Sequence, residues 1–226
     1  MKGKFYGVSV GPGDPEYMTL KAVRVLNACP VVAAPRTGME HSVALSIARG
    51  VVDLSAKELL FLDFLMSRNE SAVAARYDEL AALVTEKLDG GQDVAMLSLG
   101  DASLYATHSY LQERIAQKGY QTETVAGVTS FCACAAALKT SLTSPRVPLR
   151  ILPGDYPALE AELKAKGSKV IMKTGKELEA VKLTLKRSGV YDKASMVADC
   201  GMESEAVYHS LDNAAGGYFA TILVKE

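Results

Sequence analysis

The sequence has almost no net charge and no long apolar run. Its 25 basic and 26 acidic side chains nearly cancel, so no global field draws the chain to nucleic acid or to an anionic membrane. No apolar run approaches the roughly 20 residues of a membrane span. Met1 to Phe5 lead into a strand-like segment without the apolar core of a signal peptide. We therefore expect a cytoplasmic protein that has neither a nucleic-acid partner nor a membrane partner.

Residues that bind metals are also scarce. The cysteines are Cys29, Cys132, Cys134 and Cys200, and the histidines are His41, His108 and His209. The C-x-C pair lies in an alanine run without further ligands at short spacing, and the histidines show no spacing typical of a metal site. Free cysteine is among the residue types that are most often buried. We predict small buried thiols and no structural metal.

What the sequence does contain is an alternation of short apolar runs with longer amphipathic stretches. This pattern is typical of an α/β protein built on mostly parallel sheets. With 226 residues, 49% of them apolar, the chain is long enough for two domains of about 100 residues each. The segment TSPRVP, which ends at Pro148, has two prolines and no periodicity. We predict an N-terminal α/β domain at 1–143, a linker at 144–148 and a C-terminal α/β domain with a mixed sheet at 149–226.

Periodicity and turn residues predict the individual elements. The predicted strands cover residues 5–10, 31–34, 58–62, 93–98, 122–125, 149–152, 169–173, 194–198 and 218–225. The predicted helices cover residues 19–28, 43–50, 71–88, 103–118, 131–142, 157–166 and 177–188. The segment 93–98 is almost wholly apolar after its first residue, which indicates a central strand that is buried on both faces.

The first glycine-rich loop does not complete the phosphate-binding motifs. Gly11 and Gly13 match the first two glycines of G-x-G-x-x-G, but Glu16 stands where the third glycine should be. The next strand, VVAAPR, lacks the acidic residue that holds a ribose in dinucleotide-binding proteins. The segment TGKE at 174–177 also fails as a Walker A motif. The sequence contains no triphosphate cradle.

Three loops nevertheless share one arrangement. Gly11 to Asp14 follow the first strand, Gly100 and Asp101 follow the central strand, and Gly127 to Ser130 follow the strand at 122–125. The carboxyl ends of parallel strands lie at one edge of a sheet, where open α/β sheets bind ligands. The first loop alone is equally compatible with a purely structural turn, but three such loops predict one cleft.

Three segments stand in the order and spacing of a known family. They are GVSVGPGDPEYMTLKAVRVL at 7–26, LGDASLYATHSYL at 99–111 and ETVAGVTSFCACAAAL at 123–138. With them the chain resembles, over essentially its whole length, the tetrapyrrole methylases, the C-methyltransferases of cobalamin biosynthesis that use S-adenosylmethionine. Within the family, GDASLYATHSYL followed by GVTSF is most similar to the enzymes that methylate C-20 of precorrin-2 or cobalt-factor II. Ala102 departs from the proline that is common after the aspartate.

The resemblance implies a two-domain α/β fold, a homodimer and a trough between the domains. It also implies S-adenosylmethionine as cofactor, S-adenosylhomocysteine as its product and a tetrapyrrole of porphyrin metabolism as substrate. Eight residues match the cofactor contacts of the family. They are Pro12, Gly100, Asp101, Leu104, Thr129, Ser130, Met172 and Gly201.

Two residues of the second loop are candidates for the reaction itself. Asp101 is our first candidate for orienting the substrate or assisting a proton transfer, and Tyr105 is a weaker one. The alternative for Asp101 is a loop carboxylate that accepts hydrogen bonds from backbone amides.

The acetate and propionate groups of a precorrin call for cations at the substrate site. Arg36, Arg146 and Arg150 are placed for that role, and their alternative is a solvated surface. His108 shares an apolar helical face with Leu111, so we expect a packed or pocket-lining histidine rather than a catalytic base.

Other functions stay open at this point. The same fold methylates other precorrin positions, or a ribosomal or diphthamide target. A third possibility is a binding module that has kept the fold and lost catalysis.

Overall fold

The computed structural model describes residues 1–36, 42–67 and 69–226, so His41 lies outside the described residues. Contacts divide the chain into two compact units, Met1–Thr129 and Ser130–Glu226. Among the described residues, no helix combines the length and the apolar character needed to cross a bilayer.

The first unit is built on a five-stranded sheet with the order β3-β2-β4-β1-β5, and its described strand pairs are all parallel. Its strands are β1 (Phe5–Ser9), β2 (Val31–Arg36), β3 (Glu58–Asp63), β4 (Val94–Ser98) and β5 (Thr122–Val125). Its helices are α1 (Leu20–Ala28), α2 (Val43–Arg49), α3 (Glu70–Asp89) and α4 (His108–Gln117). The predicted parallel sheet is confirmed.

Apolar side chains cover both faces of this sheet. Val8 and Leu97 belong to the cluster that includes residues of α1 and α2, whereas Phe5 and Met96 belong to the cluster that includes residues of α3 and α4. All five residues of β4 are buried, which confirms the prediction of a central strand. Because both faces are covered, polar groups of the sheet reach solvent mainly at the strand ends.

The second unit contains a mixed five-stranded sheet with the order β6-β7-β10-β8-β9. Its strands are β6 (Leu149–Pro153), β7 (Ser168–Met172), β8 (Ala194–Ala198), β9 (Ala206–Tyr208) and β10 (Thr221–Val224). Its helices are α5 (Ser130–Ala137), α6 (Leu159–Lys164) and α7 (Leu178–Arg187). Strands β6 and β7 are parallel, and the other described pairs are antiparallel. The predicted mixed sheet is confirmed.

Helix α5 packs against β8 and β10, which places it in the second unit. The predicted N-terminal domain at 1–143 had included this helix. The linker at 144–148 stays a prediction. The chain turns within this segment, but a turn alone does not define a boundary between domains.

Two helices are shorter than the sequence indicated. Helix α4 begins at His108 rather than at residue 103, since Tyr105 has a φ of 51° and a right-handed helix cannot pass through a left-handed residue. Helix α5 ends at Ala137 rather than at residue 142, because Lys139 has a φ of 53°. The amides of Lys139 and Thr140 donate to the carbonyls of Ala136 and Ala135, which closes the helix.

Three cysteines are buried as predicted, but Cys132 is exposed. A hydrogen bond with Cys134 and burial both raise the pKa of Cys200, and burial raises the pKa of Cys29 to about 12. These two thiols therefore stay protonated and unreactive at neutral pH. Among the described residues, no three His, Cys, Asp or Glu side chains are grouped as metal ligands would be.

Candidate active site

The loops that follow β1 and β4 meet through two glycines. The amide of Gly11 donates to the carbonyl of Gly100 at 3.2 Å, and the amide of Gly100 donates to the carbonyl of Gly11 at 2.8 Å. Gly11 has a φ of 76° and Gly100 a φ of 71°, a left-handed conformation that glycine adopts without the penalty a side chain brings. The two glycines therefore allow the backbones of the two loops to pair.

Ser9 joins this pair of loops to β5. Its hydroxyl donates to the carbonyl of Val125 at 2.6 Å and accepts from the amide of Ala102 at 2.8 Å. Ser9 is fully buried. One side chain at the end of β1 thus connects the ends of β1 and β5 with the loop after β4. The sequence analysis missed Ser9, although a hydroxyl at the end of an apolar strand and directly before a glycine loop is a usable signal.

Asp101 makes a second connection between loops. One carboxylate oxygen accepts from the amide of Gly127 at 2.7 Å, and the other accepts from the amide of Ser103 at 2.8 Å and from the Ser103 hydroxyl. Burial alone would raise the pKa of Asp101, but the hydrogen bonds from Gly127 and Ser103 outweigh it and the pKa is lowered. A general base works best with a pKa near the operating pH. The geometry therefore favours the structural alternative for Asp101, a carboxylate that fastens the loops.

The lowered pKa predicts how stability changes with pH. The ionised Asp101 stabilises the fold fully above its unfolded pKa of about 3.9, and this contribution is lost as the pH falls through the lower folded pKa. We expect Asp101→Asn to be less stable than the wild type at neutral pH, and the difference should shrink in acid below about pH 4. Chemical denaturation of both proteins at several pH values measures this difference. The exposed Asp155→Asn is the matched control, and a gap between wild type and Asp101→Asn that persists unchanged in acid would contradict the assignment.

Gly127 and Gly100 leave very different space around them. A Cβ on Gly127 would lie 2.3 Å from the Cβ of Ser9 and 2.9 Å from the carbonyl oxygen of Gly100, so the three loops meet too closely for any side chain there. A Cβ on Gly100 would meet no described heavy atom within 4 Å. The backbone of Gly100 is therefore open to a ligand, while the backbone of Gly127 is in contact with its neighbours.

Two hydroxyls after β5 have unused hydrogen-bonding capacity. The Thr129 and Ser130 oxygens are shielded from solvent and have no hydrogen-bond partner among the described residues. Buried polar groups in native proteins are almost always hydrogen-bonded. Each of these oxygens is therefore suited to a hydrogen bond with a ligand. Both residues are predicted cofactor contacts.

The other predicted contacts of the first unit lie in the same loops. Pro12 is buried next to Gly11, and Leu104 is half-buried, with its amide donating to the carbonyl of Asp101 at 3.2 Å. The structure thus brings Pro12, Gly100, Asp101 and Leu104 to one edge of the first sheet.

Met172 and Gly201 lie at one edge of the second sheet. Both β7 and β8 are antiparallel to β10, so their carboxyl ends point to the same edge. Lys173 and Asp199, which directly follow these strand ends, have φ values of 57° and 50°. Left-handed residues other than glycine are strained and cluster at functional sites. The amide of Gly201 donates to the Glu205 carboxylate at 2.7 Å.

Two of the predicted substrate arginines already have acidic partners. Arg36 lies at the carboxyl end of β2 and donates to both carboxylate oxygens of Asp63, at 2.8 and 2.9 Å. Arg150 pairs with Glu162 at 3.0 Å and donates to the carbonyl of Lys166 at 2.6 Å. Since Arg150 lies near the amino end of β6, it is at the edge of the second sheet opposite Met172. The contact of Arg150 with the substrate stays a prediction, and its guanidinium already has an acidic partner in the folded protein.

His108 and Arg146 differ completely in exposure. Arg146 is exposed. His108 is 1% exposed and stacks on the ring of Phe5 with 5.6 Å between centroids. Burial lowers the pKa of His108 to about 4, so the imidazole is neutral at pH 7. Of the two roles expected for it, the structure shows the packed one: the ring fills the space that Gly7 leaves, where a Cβ would lie 1.8 Å from its Nε2.

The sequence model of one family, the tetrapyrrole (corrin/porphyrin) methylases, matches residues 4–214. The chain belongs to this family. Curated relatives align along nearly its full length. It is 33% identical to the cobalt-precorrin-2 C(20)-methyltransferase of Salmonella typhimurium, over 100% of this chain and 98% of that protein. It is 30% identical to the precorrin-2 C(20)-methyltransferase of a Sinorhizobium species, over 98% of this chain and 95% of that protein.

Solved structures of other methyltransferases share the fold. A cobalt precorrin-4 methyltransferase superposes with a TM-score of 0.81 at 20% identity, over 98% of this chain and 94% of that one. A uroporphyrin-III C-methyltransferase of Thermus thermophilus, solved with S-adenosylhomocysteine, superposes with a TM-score of 0.73 at 21% identity, over 99% of this chain and 92% of that one. The predicted fold class is confirmed by this likeness.

Proposed function

We propose that the protein is an S-adenosylmethionine-dependent methyltransferase that methylates C-20 of precorrin-2 or of cobalt-factor II in cobalamin biosynthesis. The observation that carries this proposal is the full-length match to the Salmonella typhimurium enzyme of that name, at 33% identity. The Sinorhizobium relative supports the same position on the macrocycle. The two names differ in the presence of cobalt, so the proposal covers both substrates.

The residues at the edge of the first sheet fit the proposed cofactor. S-adenosylmethionine carries no phosphate, and the site offers backbone edges and hydroxyls rather than a basic cradle. The open side of Gly100 admits close approach, and the Thr129 and Ser130 hydroxyls are available as hydrogen-bond partners. Leu104, in the same loop as Asp101, supplies apolar contact. When bound, the cofactor supplies an electrophilic methyl group on a sulfonium.

The protein's own contribution is to position the reactants and to keep water out. Ser9 holds the ends of the three loops together through buried hydrogen bonds, and Asp101 adds a partly buried one. A cradle that is rigid before the ligand arrives reduces the entropic cost of orienting it. We therefore propose Asp101 as a positioning residue, and we retain Arg36, at the carboxyl end of β2, and the exposed Arg146 as candidates for the carboxylates of the macrocycle. The resemblance to the family further supports a cytoplasmic homodimer.

A direct assay tests the proposed activity. The protein is incubated with S-adenosylmethionine that carries a labelled methyl group and with either precorrin-2 or cobalt-factor II. We expect one added methyl by mass with at least one of them, and carbon NMR should place the label at C-20. Absence of transfer to both substrates, or a label on another carbon, would refute the C-20 assignment.

The same assay separates the alternatives. A precorrin-4 C(11)-methyltransferase of Pseudomonas aeruginosa is 29% identical over 68% of this chain, so precorrin-4 is the appropriate competing substrate. If only precorrin-4 is methylated, the protein has the same fold but acts on a different substrate. Failure to bind S-adenosylhomocysteine by calorimetry would instead favour a binding module without catalysis.

Tyr105 is the side chain that we propose closest to the reaction. It lies in the loop after Gly100, is 43% exposed and has a φ of 51°. Tyr105→Phe keeps the ring and removes the hydroxyl, so we expect kcat to fall by about tenfold or more while the Kd of S-adenosylhomocysteine stays unchanged. Tyr110→Phe, which alters another exposed tyrosine of the first unit, is the control. An unchanged kcat in Tyr105→Phe would remove Tyr105 from the mechanism.

A further inference from the structure

The second unit contains a cavity that the proposed methyl transfer does not use. Its volume is about 340 Å³, which is roughly ten times the volume that one water occupies in the liquid. The segment that follows α5 forms one wall, and the ends of β7, β8 and β10 form the other. The cavity is therefore large enough for a small organic molecule.

The walls of this cavity carry a local excess of positive charge. Four lysines line it, Lys139, Lys169, Lys193 and Lys225, against one carboxylate, that of Asp192. The whole chain has a formal net charge of −1, so this excess is a local feature. Lysine ammonium groups are common ligands of phosphates and carboxylates.

The buried Lys169 indicates that holding positive charge in this cavity is energetically unfavourable. Only 5% of this lysine is exposed, and its ammonium donates to the carbonyl of Ala165. Burial is the main cause that lowers the pKa of Lys169; Glu226 and Glu162 act to raise it, and the like charges of Arg150 and Lys193 act to lower it. Like charges around a buried ammonium repel one another, and an anion in the cavity would relieve that repulsion.

The remaining polar groups are suited to an anion. The Lys225 ammonium donates to the hydroxyl of Thr140 at 2.9 Å, and the cavity is also lined by Ser141 and Ser195. Among the described residues, the ammonium groups of Lys139 and Lys193 have no carboxylate within ion-pair distance. These two groups are therefore available to a ligand.

The cavity lies at the edge of the second sheet opposite Met172 and Gly201. Val224, which lines it, pairs with Lys169 in β7 and with Ala194, the first residue of β8. Met172 is at the other end of β7, three residues from Lys169, a distance of about 10 Å along a strand. A ligand in the cavity would thus occupy a site distinct from Met172 and Gly201.

We propose that this cavity binds a small polyanion with two or more phosphate or carboxylate groups, and that this ligand is neither the methyl donor nor the macrocycle. Two or more anionic groups match both the volume of the cavity and the number of lysines around it. The site depends on residues of the second unit alone, so it does not depend on the proposed methyl transfer.

Titration of the full chain with two probes tests this site. Pyrophosphate and citrate are added separately, at constant ionic strength, to the ¹⁵N-labelled protein. We expect saturable shifts of the amide signals of Ser141 and Ser195 with at least one probe, and the stronger probe identifies the anionic group. Absence of saturable shifts with both probes, or shifts confined to Met172 and Gly201, would overturn the proposal.

A charge-matched pair of variants tests the role of the lysines. Lys139→Gln/Lys193→Gln removes the two available ammonium groups, and we expect it to bind the stronger probe at least about tenfold more weakly. Lys2→Gln/Lys118→Gln removes two exposed charges from the first unit and should bind it as the wild type does. The thermal unfolding midpoint serves as the folding check in both. Equal weakening in the two variants would show general charge attraction and overturn the proposal.

Discussion

Gly100→Val is expected to weaken the binding of S-adenosylhomocysteine by more than about tenfold. The backbone of Gly100 has a φ of 71°, and a Cβ there would meet no described heavy atom within 4 Å. A valine side chain would therefore project into the open space from which we propose that the cofactor approaches. The loss of affinity should arise because the side chain blocks the approach of the ligand and strains the backbone. It should not arise from a clash within the protein. Isothermal titration calorimetry of the variant and the wild type measures it.

Gly119→Val is the matched control for this prediction. Gly119 has a φ of 82°, and a Cβ there would also meet no described heavy atom within 4 Å. Both variants impose a side chain on a left-handed residue, which costs about 1–2 kcal/mol. Gly119 follows α4 and precedes the amino end of β5, whereas the three loops follow the carboxyl ends of their strands, so only the stability of Gly119→Val should fall. Equal loss of S-adenosylhomocysteine affinity in the two variants, or none in Gly100→Val, would remove Gly100 from the site.

Gly127→Ala is expected to have the largest effect on stability of the changes considered. The new Cβ would lie 2.3 Å from the Cβ of Ser9 and 2.9 Å from the carbonyl oxygen of Gly100. Relief requires the three loops to move apart, which would stretch the hydrogen bonds of Ser9 and Asp101. We expect the free energy of unfolding to fall by about 3 kcal/mol, the upper part of the range for overpacking. S-adenosylhomocysteine affinity should fall as well, since the same loops form the proposed cradle.

A double-mutant cycle with Ser9→Gly tests this explanation. Ser9→Gly alone removes the hydroxyl that pairs with Ala102 and Val125, and an unpaired buried polar group costs about 1–3 kcal/mol. In Ser9→Gly/Gly127→Ala the closest collision is gone, so the combined loss should be smaller than the sum by about 1 kcal/mol or more. Denaturant unfolding of the four proteins measures the coupling. If the losses in unfolding free energy simply add, the contact between Ser9 and residue 127 does not explain the destabilisation by Gly127→Ala.

Much of the fold could be predicted from local patterns. The almost wholly apolar segment at 94–98 is the buried central strand, and the glycine after α4 closes that helix with a φ of 82°. The predictions failed where a residue took an unusual conformation. Tyr105 and Lys139 carry side chains yet are left-handed, and no helix propensity distinguishes a tyrosine or lysine just outside a helix from one inside it.

The meeting of the three loops could be predicted from the sequence, but the contacts of their side chains could not. The three loops do meet, as their places after parallel strands required. The sequence analysis put Asp101 first among catalytic candidates, whereas its oxygens accept three hydrogen bonds from Gly127 and Ser103. Arg150 suited a substrate carboxylate by residue type alone, but Glu162 lies 3.0 Å from it. The type of a side chain states what it can bind, and its neighbours decide what it does bind.

The sequence by itself determined the α/β class, the parallel first sheet, the family and the edge at which the loops gather. These features follow from periodicity and from motifs within short segments, where each residue acts on its near neighbours. Only the tertiary structure decided that Ser9 connects the loops, that His108 is packed in the core and that four lysines surround a cavity. The hydroxyl of Ser9 reaches residues 93 and 116 positions away in the chain, and contacts at that separation exist only after the strands have paired.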